Sequence, residues 1–130
     1  MACTSIGVDG NDMRIVTFNL HGFSQGKSLL ADLCGQYDVI FCQKHWLSPD
    51  LLYKIDALSA DYVCFSKSGM ETAVAGGVLT GRPFGGLSIL VHNGFASRAK
   101  PIALEHRFIT TLIDNLLLIN VYLPLSLIHI

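Results

Sequence analysis

The sequence predicts an α/β domain built on a mixed β-sheet with flanking helices. Val39–Gln43 (V-I-F-C-Q) is an apolar run with β-branched and aromatic members, which is typical of a strand buried on both faces. Similar runs follow, joined first by segments with helical periodicity and later by short turns. This order of connections indicates a sheet with both parallel and antiparallel neighbours.

The composition fits one domain with an extensive core. Of 130 residues, 51% are hydrophobic and 15% are charged, whereas about 25% charged residues are usual in soluble domains. Such a chain either buries both faces of its sheet or exposes an apolar face that another surface covers. The net charge of −1 provides no overall attraction for nucleic acid, so any such contact must come from a local cluster.

The cysteines and the chain ends indicate an intracellular protein with no membrane partner. No two cysteines form a C-x-x-C pair, and the single C-x-x-H pair of Cys42 and His45 has no second pair downstream. Free thiols in a reducing compartment are therefore favoured over a zinc site. The N-terminus has no signal-peptide pattern, and polar residues and a proline interrupt the apolar residues 116–130, so no membrane span is predicted.

The first half of the chain predicts two strands and a helix after an irregular start. Residues 1–12 are rich in Gly, Asp and Asn, which predicts a loose N-terminus. Residues 14–20 are predicted to form a strand that precedes the buried strand Val39–Gln43. Between them, residues 27–34 place leucines on one helical face, and Gly35 follows as the residue that closes the helix.

The second half predicts a helix and four more strands. Ser48 is expected to be the N-cap of a helix that has Pro49 at its first position. Strands are predicted at the four apolar runs, and a glycine-rich loop is predicted between the first two runs, over residues 67–81. The last two strands flank Asp114-Asn115, which predicts a tight hairpin. The four runs are residues 62–66, Leu87–His92, Phe108–Ile113 and residues 116–123.

Four stretches together resemble a known family. They are residues 14–22 (R-I-V-T-F-N-L-H-G), 38–47 (D-V-I-F-C-Q-K-H-W-L), 81–91 (G-R-P-F-G-G-L-S-I-L-V) and 119–124 (I-N-V-Y-L-P). The chain resembles the endonuclease/exonuclease/phosphatase superfamily, most closely the endonuclease domain of non-LTR (LINE-type) retrotransposons. The resemblance implies part of a four-layer αββα sandwich of the DNase I-like kind. It also implies cleavage of DNA phosphodiesters with Mg²⁺ or Mn²⁺.

The resemblance assigns roles to three residues. Asn19 matches the asparagine that helps to place the metal-bound site; its alternative role is that of a strand-end turn residue. Tyr122 matches the tyrosine that supports the scissile phosphate; its alternative role is that of a half-buried strand tyrosine. Lys44 stands where the family has the glutamate that binds the metal ion, and a lysine has no acceptor for Mg²⁺. The expectation is therefore a vestigial site that holds no metal ion.

Two further residues are candidates for substrate binding. His45, next to Trp46, is a candidate for a basic and aromatic contact with nucleic acid, although a tryptophan before a helix start is more often a packing residue. Arg82, in the stretch G-R-P-F-G-G, is a candidate for a phosphate contact. A solvated turn arginine is the alternative.

The later motifs of the family are missing from this sequence. There is no Ser-Asp-His, and the single Asp-x-Asn, Asp9-Gly10-Asn11, precedes the first predicted strand. Residues 13–124 are therefore expected to be the N-terminal part of such a domain, with 125–130 as an atypical tail. The leading hypothesis is a truncated, catalytically inactive, retrotransposon-derived endonuclease-like domain. The alternative is a non-catalytic interaction module that self-associates through the inner face of a sheet left without its partner sheet.

Overall fold

A computed structural model describes residues 1–8, 10–70 and 84–122, and the backbone of residues 74–75 and 78–79. The elements follow one another in chain order as β1 (Ala2–Val8), β2 (Asn11–Asn19), α1 (Phe23–Leu33), β3 (Val39–Gln43), a 3₁₀ turn (Pro49–Leu51), α2 (Tyr53–Asp56), β4 (Tyr62–Lys67), β5 (Val74–Ala75), β6 (Val78–Leu79), β7 (Leu87–His92), α3 (Asn93–Ala96), β8 (Ala99–Leu104), β9 (Phe108–Ile113) and β10 (Leu116–Val121).

The strands form the mixed sheet that was predicted and a second, antiparallel sheet. The first sheet has the order β1-β2-β3-β7-β4, and the second has the order β10-β9-β8; β5 and β6 pair with each other. Strands β2 and β3 run parallel, whereas β7 is antiparallel to both of its neighbours. The connection from β2 to β3 contains α1, as a crossover between parallel strands requires. The predicted α/β class is therefore confirmed.

Side chains that alternate along the central strands fill two separate cores. Val39 and Ile89 belong to the core between the two sheets, where Ile109 and Ile113 of β9 meet them. Ile40 and Leu90 face the opposite way and pack with residues of α1 and α2, including Leu30 and Ile55. Because side chains in a strand point alternately to opposite faces, β3 is buried on both sides, as its apolar run predicted.

The second sheet contradicts the prediction that the inner face of the main sheet is exposed. The alternative hypothesis required the inner face of the main sheet to be exposed, but that face lies under β9 and β10, and Ile89 and Ile109 are fully buried there. One apolar surface that remains open among the described residues is the outer face of the second sheet. Leu117, Ile119 and Val121 of β10 are each about half exposed on that face.

The N-terminus and residues 99–104 also differ from the prediction. Residues 2–8, expected to be loose, form an edge strand that pairs with β2 from Ala2 opposite Thr17 to Val8 opposite Asn11. Residues 99–104 form β8, whose register shifts between Pro101 and Ala103. Proline removes a donor from the ladder, so it is tolerated at an edge strand or a bulge such as this one.

The turn residues in the sequence predicted local structure more accurately than the N-terminal segment did. The predicted hairpin at Asp114-Asn115 is confirmed, with Ile113 opposite Leu116 and Asp114 at a φ of 54°. Ser48 does precede the 3₁₀ turn that starts at Pro49, but its hydroxyl donates to the Asp50 carboxylate instead of capping a backbone N–H group. No helix in the described part of the chain is long and apolar enough to cross a membrane.

One buried side chain joins the two sheets. Asn120 of β10, 1% exposed, donates from Nδ2 to the carbonyl oxygens of Cys42 and Ser88, both at 2.9 Å. Its Oδ1 accepts from Nε2 of Gln43 at 2.8 Å. The amide of Asn120 therefore bonds β10 to two neighbouring strands of the other sheet, β3 and β7.

We expect Asn120→Leu to lower the free energy of unfolding by about 3 kcal/mol, because it keeps the approximate volume but leaves buried polar partners without their hydrogen bonds. Urea denaturation measures this change. Ile119→Thr, at the exposed neighbouring position, serves as the control and should change stability by no more than about 0.5 kcal/mol. Equal stability of the two variants would contradict the role assigned to Asn120.

Candidate functional site

Several strands end at one edge of the sandwich and bring the predicted site residues to it. Asn19, the last residue of β2, pairs with Gln43, the last residue of β3, and Gln43 also pairs with Leu87 at the start of β7. The hydrogen bond from Gln43 to Asn120 brings the end of β10, with Tyr122 directly after it, to the same place. We call this region, where Asn19, Gln43 and Tyr122 lie, the site edge.

Lys44 and Tyr122 meet at the site edge. The Lys44 Nζ atom lies 5.8 Å from the centroid of the Tyr122 ring, in cation–π geometry. Lys44 has a φ of 58°, a conformation that a non-glycine residue adopts at some cost. Its backbone N–H donates to the Gly86 carbonyl and its carbonyl accepts from the Gly22 N–H. These bonds hold the lysine at the point where β3 stops, beside Tyr122.

Asn19 lies at the same edge, but its side chain stabilises the turn that follows β2. Its Oδ1 accepts from the backbone N–H of His21 at 3.3 Å, and His21 has a φ of 51°. This contact matches the alternative assigned to it, a turn residue at a strand end. The proposed role at a metal-bound site stays a prediction.

Gln43 is a residue of the site edge to which the sequence analysis assigned no role. Its Nε2 donates to Thr17 Oγ1 at 2.9 Å and to Asn120 Oδ1 at 2.8 Å. Its position in the sequence was the signal that could have identified it, because Gln43 is the first polar residue after the apolar run of β3. Gln43 thus connects the inter-sheet contact of Asn120 to the residue next to Lys44.

His45 lies inside the protein, so its predicted contact with substrate is wrong. The side chain is fully buried; Nδ1 accepts from the Leu47 N–H at 2.9 Å, and Nε2 is 3.0 Å from the Lys67 carbonyl. Since Nδ1 accepts, the proton of the neutral ring is on Nε2, which donates to Lys67. Burial lowers the pKa of His45 to about 4, because the charged form is penalised away from water.

Glycines make room for the two rings that follow Lys44. Gly86 has a φ of 100°, and a Cβ atom there would overlap the His45 ring. Gly22 has a φ of 96°, and a Cβ atom there would lie 2.6 Å from Trp46. Trp46 is therefore a packing residue against the turn before α1, which was the alternative to a contact with nucleic acid.

The donor set at the site edge does not suit a divalent metal ion. The resemblance implies Mg²⁺ or Mn²⁺, and hard cations of this kind prefer carboxylate oxygens. At the end of β3 the chain presents the ammonium of Lys44, and the described residues contain no cluster of three His, Cys, Asp or Glu side chains. The charged and titratable side chains near the end of β10 are His106, Arg107 and Glu105, all exposed. The described residues of the site edge do not fit the metal.

Several predictions from the sequence lie outside the described residues. Arg82, a candidate for phosphate binding, is one of them, so its role stays a prediction. Asp9, the first residue of the Asp-x-Asn stretch, and the tail 125–130 also lie outside. So does most of the predicted loop over residues 67–81, of which only residues 67–70 and the backbone of 74–75 and 78–79 are described.

Solved structures with the same fold include a phosphatase, an endonuclease and an exonuclease. A 3′ phosphatase, NExo from Neisseria bound to a product DNA hairpin, matches with 16% identity over 85% of this chain and a TM-score of 0.58. An AP endonuclease from Archaeoglobus fulgidus matches with 15% identity over 84% and a TM-score of 0.57. The 3′-5′ exonuclease NExo from Neisseria meningitidis matches with 16% identity over 83% and a TM-score of 0.57.

These matches show the fold that the resemblance implied. At these identities the shared property is the DNase I-like architecture, and the chain spans about two fifths of the length of these structures (41%, 40% and 40%). No protein-family model matches the chain. No curated protein matches it either.

We expect His45 to make folding stability depend on pH. The folded pKa of about 4 lies below the ordinary value of 6.5, so the unfolded chain binds more protons between these values. The contribution of His45 is present above about pH 6.5 and is lost as the pH falls toward 4; its upper bound is about 3 kcal/mol.

Urea unfolding over this pH range, compared with that of His45→Gln, isolates the contribution because the carboxylates titrate in both proteins. His106→Gln, at an exposed histidine, is the matched control and should follow the wild-type profile. A wild-type profile parallel to that of His45→Gln would show that burial does not oppose protonation of His45.

Proposed function

We propose that this chain is a domain of nuclease fold, derived from a non-LTR retrotransposon endonuclease, that binds DNA phosphate and does not cleave it. The observation that carries the proposal is the position of Lys44. Its ammonium lies at the end of β3 and over the ring of Tyr122, where the family resemblance has a metal-binding glutamate. The retrotransposon origin is supported by the four matching sequence stretches.

A lysine at this position changes the chemistry of the site edge. Cleavage in the family resemblance depends on a divalent ion that neutralises phosphate charge and stabilises the leaving oxygen. Lys44 supplies three N–H donors and one positive charge directly, which suits a phosphate oxygen and repels a cation. Phosphate can therefore bind at the site edge without a metal ion. Cleavage would also need a bound ion, and Lys44 does not hold one.

The burial of His45 also supports binding without cleavage. Cleavage would require a general base close to the phosphate. His45 is close to Lys44 in sequence, but both of its ring nitrogens are engaged inside the protein. His45 therefore does not serve as that base.

We expect Lys44→Gln to weaken binding of the chain to duplex DNA and to reduce the salt dependence of that binding by about one phosphate contact. Lys44→Glu should weaken binding further, because it places a negative charge next to phosphate. Fluorescence anisotropy of a labelled duplex, titrated at several salt concentrations, measures both quantities. Lys100→Gln is the matched control, because Lys100 lies opposite Leu112, toward the other end of the second sheet, and its loss should leave the affinity unchanged.

The same protein should not nick supercoiled plasmid DNA in Mg²⁺ or Mn²⁺. Agarose-gel conversion of supercoiled to open-circular plasmid measures nicking. Metal-dependent nicking that disappears in Asn19→Ala would show that the site is catalytic and would overturn the proposal. Equal effects of Lys44→Gln and Lys100→Gln on DNA affinity would show that Lys44 has no special contact with phosphate.

The second candidate function is an interaction module that self-associates. It is favoured by the outer face of the second sheet, where Val121 lies beside Phe108 and Leu117 beside Leu112. Leu117, Ile119 and Val121 are 51%, 50% and 47% exposed, and a continuous apolar row of this kind is typical of an interaction surface. We propose a second copy of the chain as its partner.

If this face pairs, sedimentation should give an average mass above 14.2 kDa that rises with concentration. The double variant Leu117→Thr with Ile119→Thr should return the mass to that of one chain, because it removes apolar area from the face while threonine, which is β-branched, still suits a strand. Val63→Thr, at an exposed valine of β4, is the control. A wild-type mass of one chain at every concentration would exclude self-association through this face.

A further inference from the structure

A pocket opens beside Tyr122 that none of the roles above uses. It has a volume of about 220 Å³ and lies where the loop before β7 meets the segment before β9. Its walls are formed by Gly69, Phe84, Gly85, His106, Arg107 and Tyr122. Pockets for drug-sized ligands have about 300 to 1,000 Å³, so this one fits a single small group.

Two aromatic side chains, Phe84 and Tyr122, line this pocket. Phe84 is 46% exposed, although large aromatic side chains contribute most when they are buried. Tyr122 is half-buried and also carries the Lys44 ammonium over its ring. An exposed phenylalanine beside a tyrosine is suited to stacking with a planar ligand, and stacking of a nucleobase on an aromatic side chain contributes about 1–3 kcal/mol.

Backbone contacts fix the walls in place. The Tyr122 N–H donates to the Arg107 carbonyl at 2.8 Å, and the Phe84 N–H donates to the sulfur of buried Met70. A Cβ atom on Gly69 would lie 3.1 Å from the Gly85 Cα atom. The two glycines therefore pass each other closely and leave that wall free of side chains.

The charges at the pocket favour an anion next to the planar group. Arg107 and His106 line the pocket, Lys44 lies over the Tyr122 ring, and Glu105 is the neighbouring carboxylate in the sequence. No ion pair joins Arg107 to another residue of the described part of the chain. An arginine guanidinium presents a planar fork of donors that matches phosphate oxygens.

We propose that this pocket binds one unpaired nucleotide of a single-stranded nucleic acid. The base stacks on Phe84 and Tyr122, and its phosphate contacts Arg107. The small volume selects a single base over a base pair, and the arginine selects a phosphorylated ligand over an apolar peptide side chain. The inference deepens the proposed function, since it adds a subsite for an unpaired base beside the phosphate contact of Lys44.

Binding of two labelled oligonucleotides to the full chain tests the subsite: a short thymidine oligonucleotide, and an abasic strand of the same length that keeps the sugar and phosphate groups. We expect the wild type to prefer the thymidine strand. Phe84→Leu should weaken binding of the thymidine strand by about fivefold or more and leave the abasic strand unchanged. Arg107→Gln should weaken both and lower the salt dependence by about one contact.

Tyr53→Leu, which removes an aromatic side chain that is 60% exposed on α2, is the matched control and should have no effect. Equal affinity of the wild type for the two strands, no measurable affinity for either, or a Phe84→Leu variant that binds like the wild type would overturn the subsite. If Phe84→Leu has no effect while Lys44→Gln weakens duplex binding, the subsite fails and the proposed function stands. If Phe84→Leu weakens binding of the thymidine strand while Lys44→Gln leaves duplex binding unchanged, the proposed function fails and the subsite stands.

Discussion

The amide of Asn120 fixes how the two sheets sit on each other. It bonds to carbonyl oxygens of two neighbouring strands and to the side chain of Gln43, so the second sheet cannot slide without leaving buried polar groups unpaired. Apolar packing between the sheets is not directional in this way. Tyr122 follows two residues later, and its distance from Lys44 is a consequence of this register.

The backbone after β3 decides which side chains reach water. Lys44 and Trp46 both have positive φ, at 58° and 59°, and His45 between them is turned inward to bond with Lys67 and Leu47. Gly86 provides the room that the buried ring needs. Strain in the backbone and burial of a titratable ring are both costly, yet together they hold Lys44 at the surface of the site edge.

The parts that could be predicted from the sequence are those with strong local signals. The apolar run of Val39–Gln43 predicted its strand, and Asp114-Asn115 predicted the hairpin, because burial and turn conformation restrict those residue types. Strand β1 was missed because its polar and small residues show no alternation; it exists through its pairing with β2. The burial of His45 and the pocket at Phe84 depend on segments distant in the chain, which periodicity and spacing do not report. The family resemblance implied separate roles for Lys44 and Tyr122, whereas their contact became visible only in the fold.

A cation at the end of β3 also changes what the site requires in order to stay folded. Carboxylates gathered at one point repel each other and depend on a bound ion to relieve that repulsion. Lys44 instead lies over the electron-rich face of Tyr122, an arrangement that is favourable without any ion. The site edge therefore carries a positive charge that needs no bound ion, and with an overall charge of −1 any attraction for phosphate must come from such a local cluster. The lysine that stands at the metal-binding glutamate of the resemblance is thus the group on which the proposed binding depends.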